Sequence, residues 1–396
     1  MMNAITSPKG FLASGVRAGI KEKGEDLALI VSEKPAAGAG VFTTNLFSAA
    51  PVVISRSRLP SSSARAIIAN SGNANACTGN QGIQDALEMA SETARVLGVA
   101  AEDVLVASTG IIGRRMPMDN IRYGIARAVA LLSVDGGSAA ARAIMTTDTR
   151  PKEALVELSI GGAQVRIGGI AKGAGMICPN MATMLCFITS DVAITPQMLQ
   201  FCLSRAVNIS FNCLTVDGDT STNDSVIMLA NGLANNPLIS SPGPVLDEFQ
   251  AALDSVAVSL AKQIARDGEG ATKLVEITVE GANSFEDARQ IAKTVANSAL
   301  VKTALFGCDP NWGRILAAAG RSGVPLDPKS VSLKLGDILL VDGGEPLPLS
   351  ESEAHKLLQN AEVSILLSVG DGPGNATVWT CDFSYDYIKI NAEYHT

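Results

Sequence analysis

Histidine is scarce in this 396-residue chain: only His355 and His395 occur, both near the C-terminus. No His-x-x-x-His pair can form, which excludes a His-rich zinc site, and a Ser-His-Asp triad would have to draw on one of these two residues. If the chain is an enzyme, its general base is another kind of group. Seven cysteines (77, 178, 186, 202, 213, 308, 381) form no Cys-x-x-Cys pair. Odd in number and scattered, they read as buried free thiols of a reducing compartment. Phosphate-binding signals are missing too. No Gly-x-x-x-x-Gly-Lys occurs, and Gly38-Ala39-Gly40 and Gly173-Ala174-Gly175 lack the third glycine of a dinucleotide fingerprint. The run Asp217–Asp224 has the outline of a calcium loop. However, Gly218 takes the second position, and Met228 stands at the twelfth, where a glutamate is required. It reads as an Asp-rich turn leading into a helix, without a metal.

What remains for chemistry is a set of hydroxyls, one lysine and one carboxylate in glycine-rich surroundings. Residues 171–191 read as a Gly-rich turn carrying Lys172, a second turn at Pro179-Asn180, and a strand from Thr183. On its own, a β-branched hydroxyl residue opening a buried strand is a strand residue. Lys172 alone would be a solvated lysine, but its small and apolar neighbours from Gly169 to Met176 argue otherwise. Thr109-Gly110 follow a short strand and read as a tight turn. Thr146 opens a Thr-Thr-Asp-Thr run of the kind that caps helices. Glu269, between Gly268 and Gly270, reads as part of a helix-terminating loop, and Asn391 and Thr396 lie at a chain end, where fraying is the rule.

The elements that must position these residues follow from periodicity and punctuation. Strands are expected at Leu27–Ser32, Arg65–Asn70, Val104–Ala107 and Met184–Ile188, with a hairpin of Ala154–Ser159 and Gln164–Ile170 across Gly161-Gly162. Helices are expected at Gln84–Leu97, Asn120–Leu132, Ala139–Met145, Pro196–Ala206, Ser225–Ala234 and Leu246–Arg266. In the first of these, Ile83, Leu87, Ala90, Ala94 and Leu97 fall on one face and Gly98 supplies the stop. The pattern restarts near Glu286 with a helix to Leu300 and a turn at Cys308–Gly313. Strands Ser330–Leu335 and Ile338–Val341, a helix Glu351–Asn360, and strands Val363–Ser368 and Thr377–Asp382 follow. Ile239–Pro244, Gly268 and Gly270 are hinge candidates. Mixed strands and helices throughout imply an α+β fold of layered sheets and helices.

Composition sets the outer limits. Apolar residues make up 47% and charged residues 18%, as in a compact globular protein. The formal charge of −8 argues against nucleic acid or an anionic membrane as partner. No apolar run reaches the length of a membrane span, and the first residues lack the apolar core of a signal peptide, so a cytoplasmic protein is expected.

Lys172-Gly-Ala-Gly-Met-Ile177, followed by Pro179-Asn-Met-Ala-Thr-Met-Leu185, resembles the self-cleavage signature of the ornithine acetyltransferases, the glutamate N-acetyltransferases of arginine biosynthesis. The resemblance covers essentially the whole chain. Asn70–Ala76, Ala107–Gly113, Met145–Thr149, Arg266–Gly270, Cys308–Gly313 and Ile390–Thr396 match in the expected order. Ala174, where serine is also common in that family, is a small departure.

The resemblance implies a self-cleaving acetyltransferase fold of the ornithine acetyltransferase/aminopeptidase type, with a smaller C-terminal α/β subdomain at about 286–396. It implies a cut between Ala182 and Thr183 into an α chain, 1–182, and a β chain, 183–396, assembled as an α2β2 heterotetramer. Thr183 would be the nucleophile. Its freed α-amine, with an unperturbed pKa of about 7.7–8.0, would be the local base. Thr109 and Gly110 would form the oxyanion hole, and Thr146, Lys172, Thr183, Glu269, Asn391 and Thr396 would contact substrate. The implied reaction is ping-pong acetyl transfer from N-acetyl-ornithine to glutamate without a cofactor. Some members of that family also take acetyl-CoA as donor. Two other readings stay open at this point: an amidase or aminopeptidase of the same architecture that passes the acyl group to water, and a non-catalytic amino-acid-binding protein on the same scaffold.

Overall fold

The computed structural model describes residues 3–178, 184–348 and 351–393. Eight strands form the larger sheet: β1 (Phe11–Val16), β2 (Leu27–Phe42), β3 (Ser61–Asn73), β4 (Val104–Ile111), β5 (Lys152–Ile160), β6 (Ala163–Lys172), β7 (Leu185–Ser190) and β8 (Ser225–Ala230). Their order is β4-β3-β2-β8-β7-β6-β5, with β1 also paired to β2. The 16-residue β2 serves two halves of this sheet. Its first part pairs with β1 and β3, its register shifts between Val31 and Gly38, and its last part pairs with β8. The bulges fold the sheet over, so that Ile30, Ile67 and Leu105 of one half share a core with Leu185, Phe187, Ile227 and Leu229 of the other.

Helices cover the outer faces. α1 (Ala50–Arg58), α2 (Gly79–Leu97) and α3 (Met118–Ala130) pack over Leu29, Ile68 and Val106. Beyond α4 (Gly137–Ala143), α5 (Pro196–Ile209) and α6 (Pro244–Arg266) pack over Cys186, Ile188 and Met228. The result is four layers, helix–sheet–sheet–helix, within an α+β fold.

A second sheet follows α6: β9 (Leu274–Ala282), β10 (Ser332–Leu335), β11 (Ile338–Asp342), β12 (Glu345–Pro346), β13 (Glu362–Ser368) and β14 (Gly374–Cys381), in the order β12-β11-β10-β13-β9-β14. It is flanked by α7 (Phe285–Ala296), α8 (Ala299–Phe306), α9 (Trp312–Gly320) and α10 (Glu351–Leu358), and the chain continues into α11 (Tyr385–Glu393). This sheet begins with β9, ahead of Glu286. Among the described residues no helix is long and apolar enough to cross a membrane.

Local chemistry explains most boundaries. Gly161 (φ +56°) and Gly162 (φ +84°) turn β5 into β6 with both central residues left-handed, as a type I′ hairpin requires. Gly98 closes α2 in the left-handed region.

Several expectations are corrected. Ser225–Ala230 is a strand, not the start of a helix: it pairs parallel with β7 and antiparallel with β2 and is buried on both faces between two cores, so it shows no alternation. The expected helix from Glu286 to Leu300 is two helices, because the Ser298 hydroxyl accepts from Val301 N–H and starts α8 afresh. Within Cys308–Gly313, Asn311 caps a further helix, α9, by accepting from Arg314 N–H. α2 packs through Ala86, Met89, Ala90, Thr93 and Ala94, and Leu87 is exposed, because the small residues allow the closer approach. All seven cysteines are free, yet Cys77 is exposed and Cys178 and Cys308 are half-buried.

Candidate active site

Because β7 and β8 run parallel, the segments that precede them emerge at the same end of the sheet. There they meet the C-terminal ends of β3 and β4: Asn223 Nδ2 donates to the carbonyls of Ala74 (2.6 Å) and Ser108 (2.9 Å). A cavity of about 130 Å³ opens at this junction, and Thr109, Gly110, Thr146, Lys172, Glu269 and Asn391 all line it. These residues singled out from sequence are therefore brought together from five separate stretches of chain. Ala182, Thr183 and Thr396 lie outside the described residues, as does Tyr394. Met184, covalently joined to Thr183, is buried immediately before β7.

Thr109 and Gly110 are in β4 rather than in a turn after it. Gly110 has φ +129°, and a Cβ there would lie 2.4 Å from the backbone of Gly72. Only glycine lets the two parallel strands approach this closely. The backbone of Thr109 is paired with Ser71 and Asn73 of β3. Its hydroxyl, without a partner among the described residues, is the group left to donate into the cavity.

Lys172 ends β6, where the antiparallel pairing with Leu185 holds it. Its ammonium is buried and donates to Thr146 Oγ1 at 3.2 Å, and among the described residues it has no ion-pair partner. Burial lowers its pKa from the ordinary lysine value, opposed by the fields of Asp148, Asp224 and Glu269. Such a cation is poised for an incoming carboxylate. Across the cavity, Glu269 is buried after α6, its N–H donating to Ala174 O (2.9 Å) and its Oε2 accepting from Asn391 Nδ2 (2.8 Å). A side chain on Gly175 would fall 2.3 Å from that carboxylate, so the glycine there makes room for Glu269. Asn391 is carried by α11, which buries no side chain of its own, and Tyr387 of the same helix stacks on Phe383 at 4.5 Å and lines the cavity. Burial and the carboxylates of Asp217 and Glu269 raise the Tyr387 phenol above its ordinary value and keep it neutral.

The Asp-rich run proves to be part of the wall. Asp217 accepts from the N–H groups of Met176 (2.6 Å) and Ile177 (2.9 Å), fixing the chain just before the segment that carries Thr183. Asp224 is fully buried. Its Oδ1 accepts from Met184 N–H at 2.8 Å, and its Oδ2 has no partner among the described residues. Burial pushes its pKa well above the usual carboxylate range, partly offset by the Met184 amide and by Lys172. Asp148, Lys152 and Asp267, described below, were also not singled out from the sequence. The density of acids between Asp217 and Asp224 was the signal for that run, and Asp148 and Asp267 lie within the runs Met145–Thr149 and Arg266–Gly270, whereas Lys152 lies in none of the named motifs.

A sequence model of the ArgJ family matches residues 12–396. The chain is 53% identical over 403 residues to the arginine biosynthesis bifunctional protein ArgJ of Synechococcus sp., covering 99% of this chain and 97% of that protein. It is 52% identical over 399 residues to the protein of the same name from Symbiobacterium thermophilum, covering 100% and 99% respectively. Among solved structures, arginine biosynthesis bifunctional protein ArgJ from Bacillus halodurans matches with a TM-score of 0.52 and 45% identity, over 52% of this chain and 98% of that one.

Proposed function

The chain belongs to the ArgJ family and is an acyltransferase of arginine biosynthesis, and from this premise we propose that it moves acetyl from N2-acetyl-L-ornithine to L-glutamate through an ester on Thr183. The observation that carries the reading is the cavity itself. A buried ammonium without an ion-pair partner among the described residues, a buried carboxylate and an oxyanion-type hydroxyl line one space at the mouth of β7, whose preceding residues are Thr183 and Met184.

In the precursor, the Thr183 hydroxyl attacks the Ala182 carbonyl carbon. The acyl group shifts from nitrogen to oxygen, and water hydrolyses the ester to leave fragments 1–182 and 183–396. The freed α-amine then takes the proton of its own hydroxyl. That the Bacillus halodurans chain is matched over 98% of its length yet spans only 52% of this one supports a cut near the middle.

In the transfer cycle, Thr183 Oγ attacks the acetyl carbonyl, and the oxyanion is stabilised by the Thr109 hydroxyl and Gly110 N–H. The amide C–N bond breaks, the amine takes the proton, and ornithine leaves. The amine of glutamate then attacks the acetyl ester, restoring Thr183. Lys172, assisted by Thr146, receives the α-carboxylate of either amino acid. Glu269, held by Asn391, receives the distal ammonium of ornithine, and Thr396 completes the contacts. One amide replaces another, so no metal or cofactor is required. Acetyl-CoA would enter the same cycle as an alternative donor, in keeping with the word "bifunctional" in the names of the relatives. The cut chains are taken to stay together as an α2β2 assembly in the cytoplasm.

Rapid quenching of the cut protein with N-acetyl-ornithine alone, followed by intact-mass analysis, should show one acetyl mass added to fragment 183–396. Initial rates should give parallel double-reciprocal lines. Intersecting lines without an acetylated fragment would establish direct transfer instead, and acetate release independent of glutamate would establish a hydrolase.

A further inference from the structure

Behind the cavity lies a chain of three buried charges that no step above uses. Lys152 opens β5 with its side chain 1% exposed. Its ammonium bridges Asp148 Oδ1 at 2.5 Å and Asp267 Oδ2 at 2.6 Å, carboxylates that are 0% and 3% exposed. Each carboxylate in turn grips backbone that carries the site. Asp148 accepts from Thr146 N–H (3.0 Å) and Gly173 N–H (2.7 Å), the positions of one substrate residue and of the neighbour of another, Lys172. Asp267 stands two residues before Glu269 and accepts from the N–H (3.1 Å) and hydroxyl of Thr149. Burial raises the Asp148 pKa, but the two lysines and the hydrogen bonds outweigh it and bring it down to about 2, so this group stays charged.

Buried ion pairs are weak sources of stability, since desolvation consumes most of the attraction and apolar residues of equal size often serve as well. What this one does is geometric: it joins the ledge of Thr146 and Lys172 to the loop of Glu269 through a single ammonium. We infer that Lys152 is a positioning residue that, through Asp148 and Asp267, fixes the separation between the cationic and anionic ends of the substrate cavity. The inference rests on the acetyl-transfer reading. The oxyanion pair on β4 makes none of these contacts, so the clamp should govern binding rather than the chemical step.

The test is the neutral triad Asp148→Asn/Lys152→Met/Asp267→Asn, which removes the Lys152 ammonium together with both carboxylates that it bridges. Ornithine affinity by calorimetry and initial rates with N-acetyl-ornithine and glutamate are compared with those of the wild type. The ornithine Kd and the KM for N-acetyl-ornithine should rise roughly 10- to 100-fold with kcat changed by no more than about threefold, as expected when substrate groups are displaced and the reacting centre is not. Unchanged Kd and KM overturn the inference, and so does a lower kcat at constant KM. A loss confined to thermal stability counts against it as well. Should the triad not fold, Thr149→Val replaces it, removing one hydrogen bond to Asp267; KM should then rise about threefold, and an unchanged KM overturns the inference. Wild-type protein that exchanges no acetyl between ornithine and glutamate would refute the reaction itself, a result separate from any of these.

Discussion

Thr183→Ala should yield a single uncut 396-residue chain with transferase activity reduced roughly 10⁴-fold or more, the scale on which loss of a covalent nucleophile is felt. On the proposed reading one hydroxyl serves both the cut and the transfer, so both should fail together. Denaturing electrophoresis with intact mass reads the first, and acetyl exchange between N-acetyl-ornithine and glutamate reads the second. Thr183→Ser keeps a hydroxyl in place and should still cut. Wild-type protein found as one full-length species with full activity, or an alanine variant that cuts, would refute the assignment of Thr183.

Thr109→Ala should lower kcat by about 10²–10³, equivalent to roughly 3–4 kcal/mol of barrier for one oxyanion donor. The substitution is informative because the Thr109 backbone is engaged with β3 and the methyl of alanine fits where threonine stood, so only the cavity-facing hydroxyl is lost. A change at Gly110 would be ambiguous, since any Cβ there meets the Gly72 backbone. KM should stay near its original value, because the donor acts on charge that develops only during reaction. Self-cleavage should slow in parallel, as it passes through an oxyanion at the same place. A raised KM with kcat intact would make Thr109 a binding residue and remove it from the oxyanion hole.

The residues themselves announced the strands and helices whose pattern is local. The β5–β6 hairpin was legible because two adjacent glycines separate two alternating runs, and α6 because its apolar repeat is long. β8 was not, since a strand buried on both faces carries the same unbroken apolar run as a buried helix. The break at Ser298 was hidden in a continuous helical pattern, and only the cap geometry reveals it. In the site, bottom-up reading left Thr183, Thr109 and Glu269 as ordinary strand, turn and loop residues. Their chemical roles came from the family resemblance, and the shared cavity brings Thr109 and Glu269 together. Lys152 and Asp267 are 115 positions apart and meet only through the packing of α6 on β5, so no sequence window could join them.

A cut between Ala182 and Thr183, as proposed, would decide how the mature molecule is held. β6 and β7, hydrogen-bonded from Ile167–Ser190 to Lys172–Leu185, would end up on different polypeptides. In the order β4-β3-β2-β8-β7-β6-β5, the two strands of the later fragment are inserted between strands of the earlier one on both sides. The proposed fragments would therefore be woven rather than docked: neither could leave without dismantling the central sheet, and neither would carry a complete core alone. On the proposed reading, folding would have to precede cutting. Once denatured, the mature material faces a search between two molecules in place of one within a single chain. Recovery from denaturant should then be second order and fall with dilution for the cut protein, whereas uncut Thr183→Ala should refold at a rate independent of concentration.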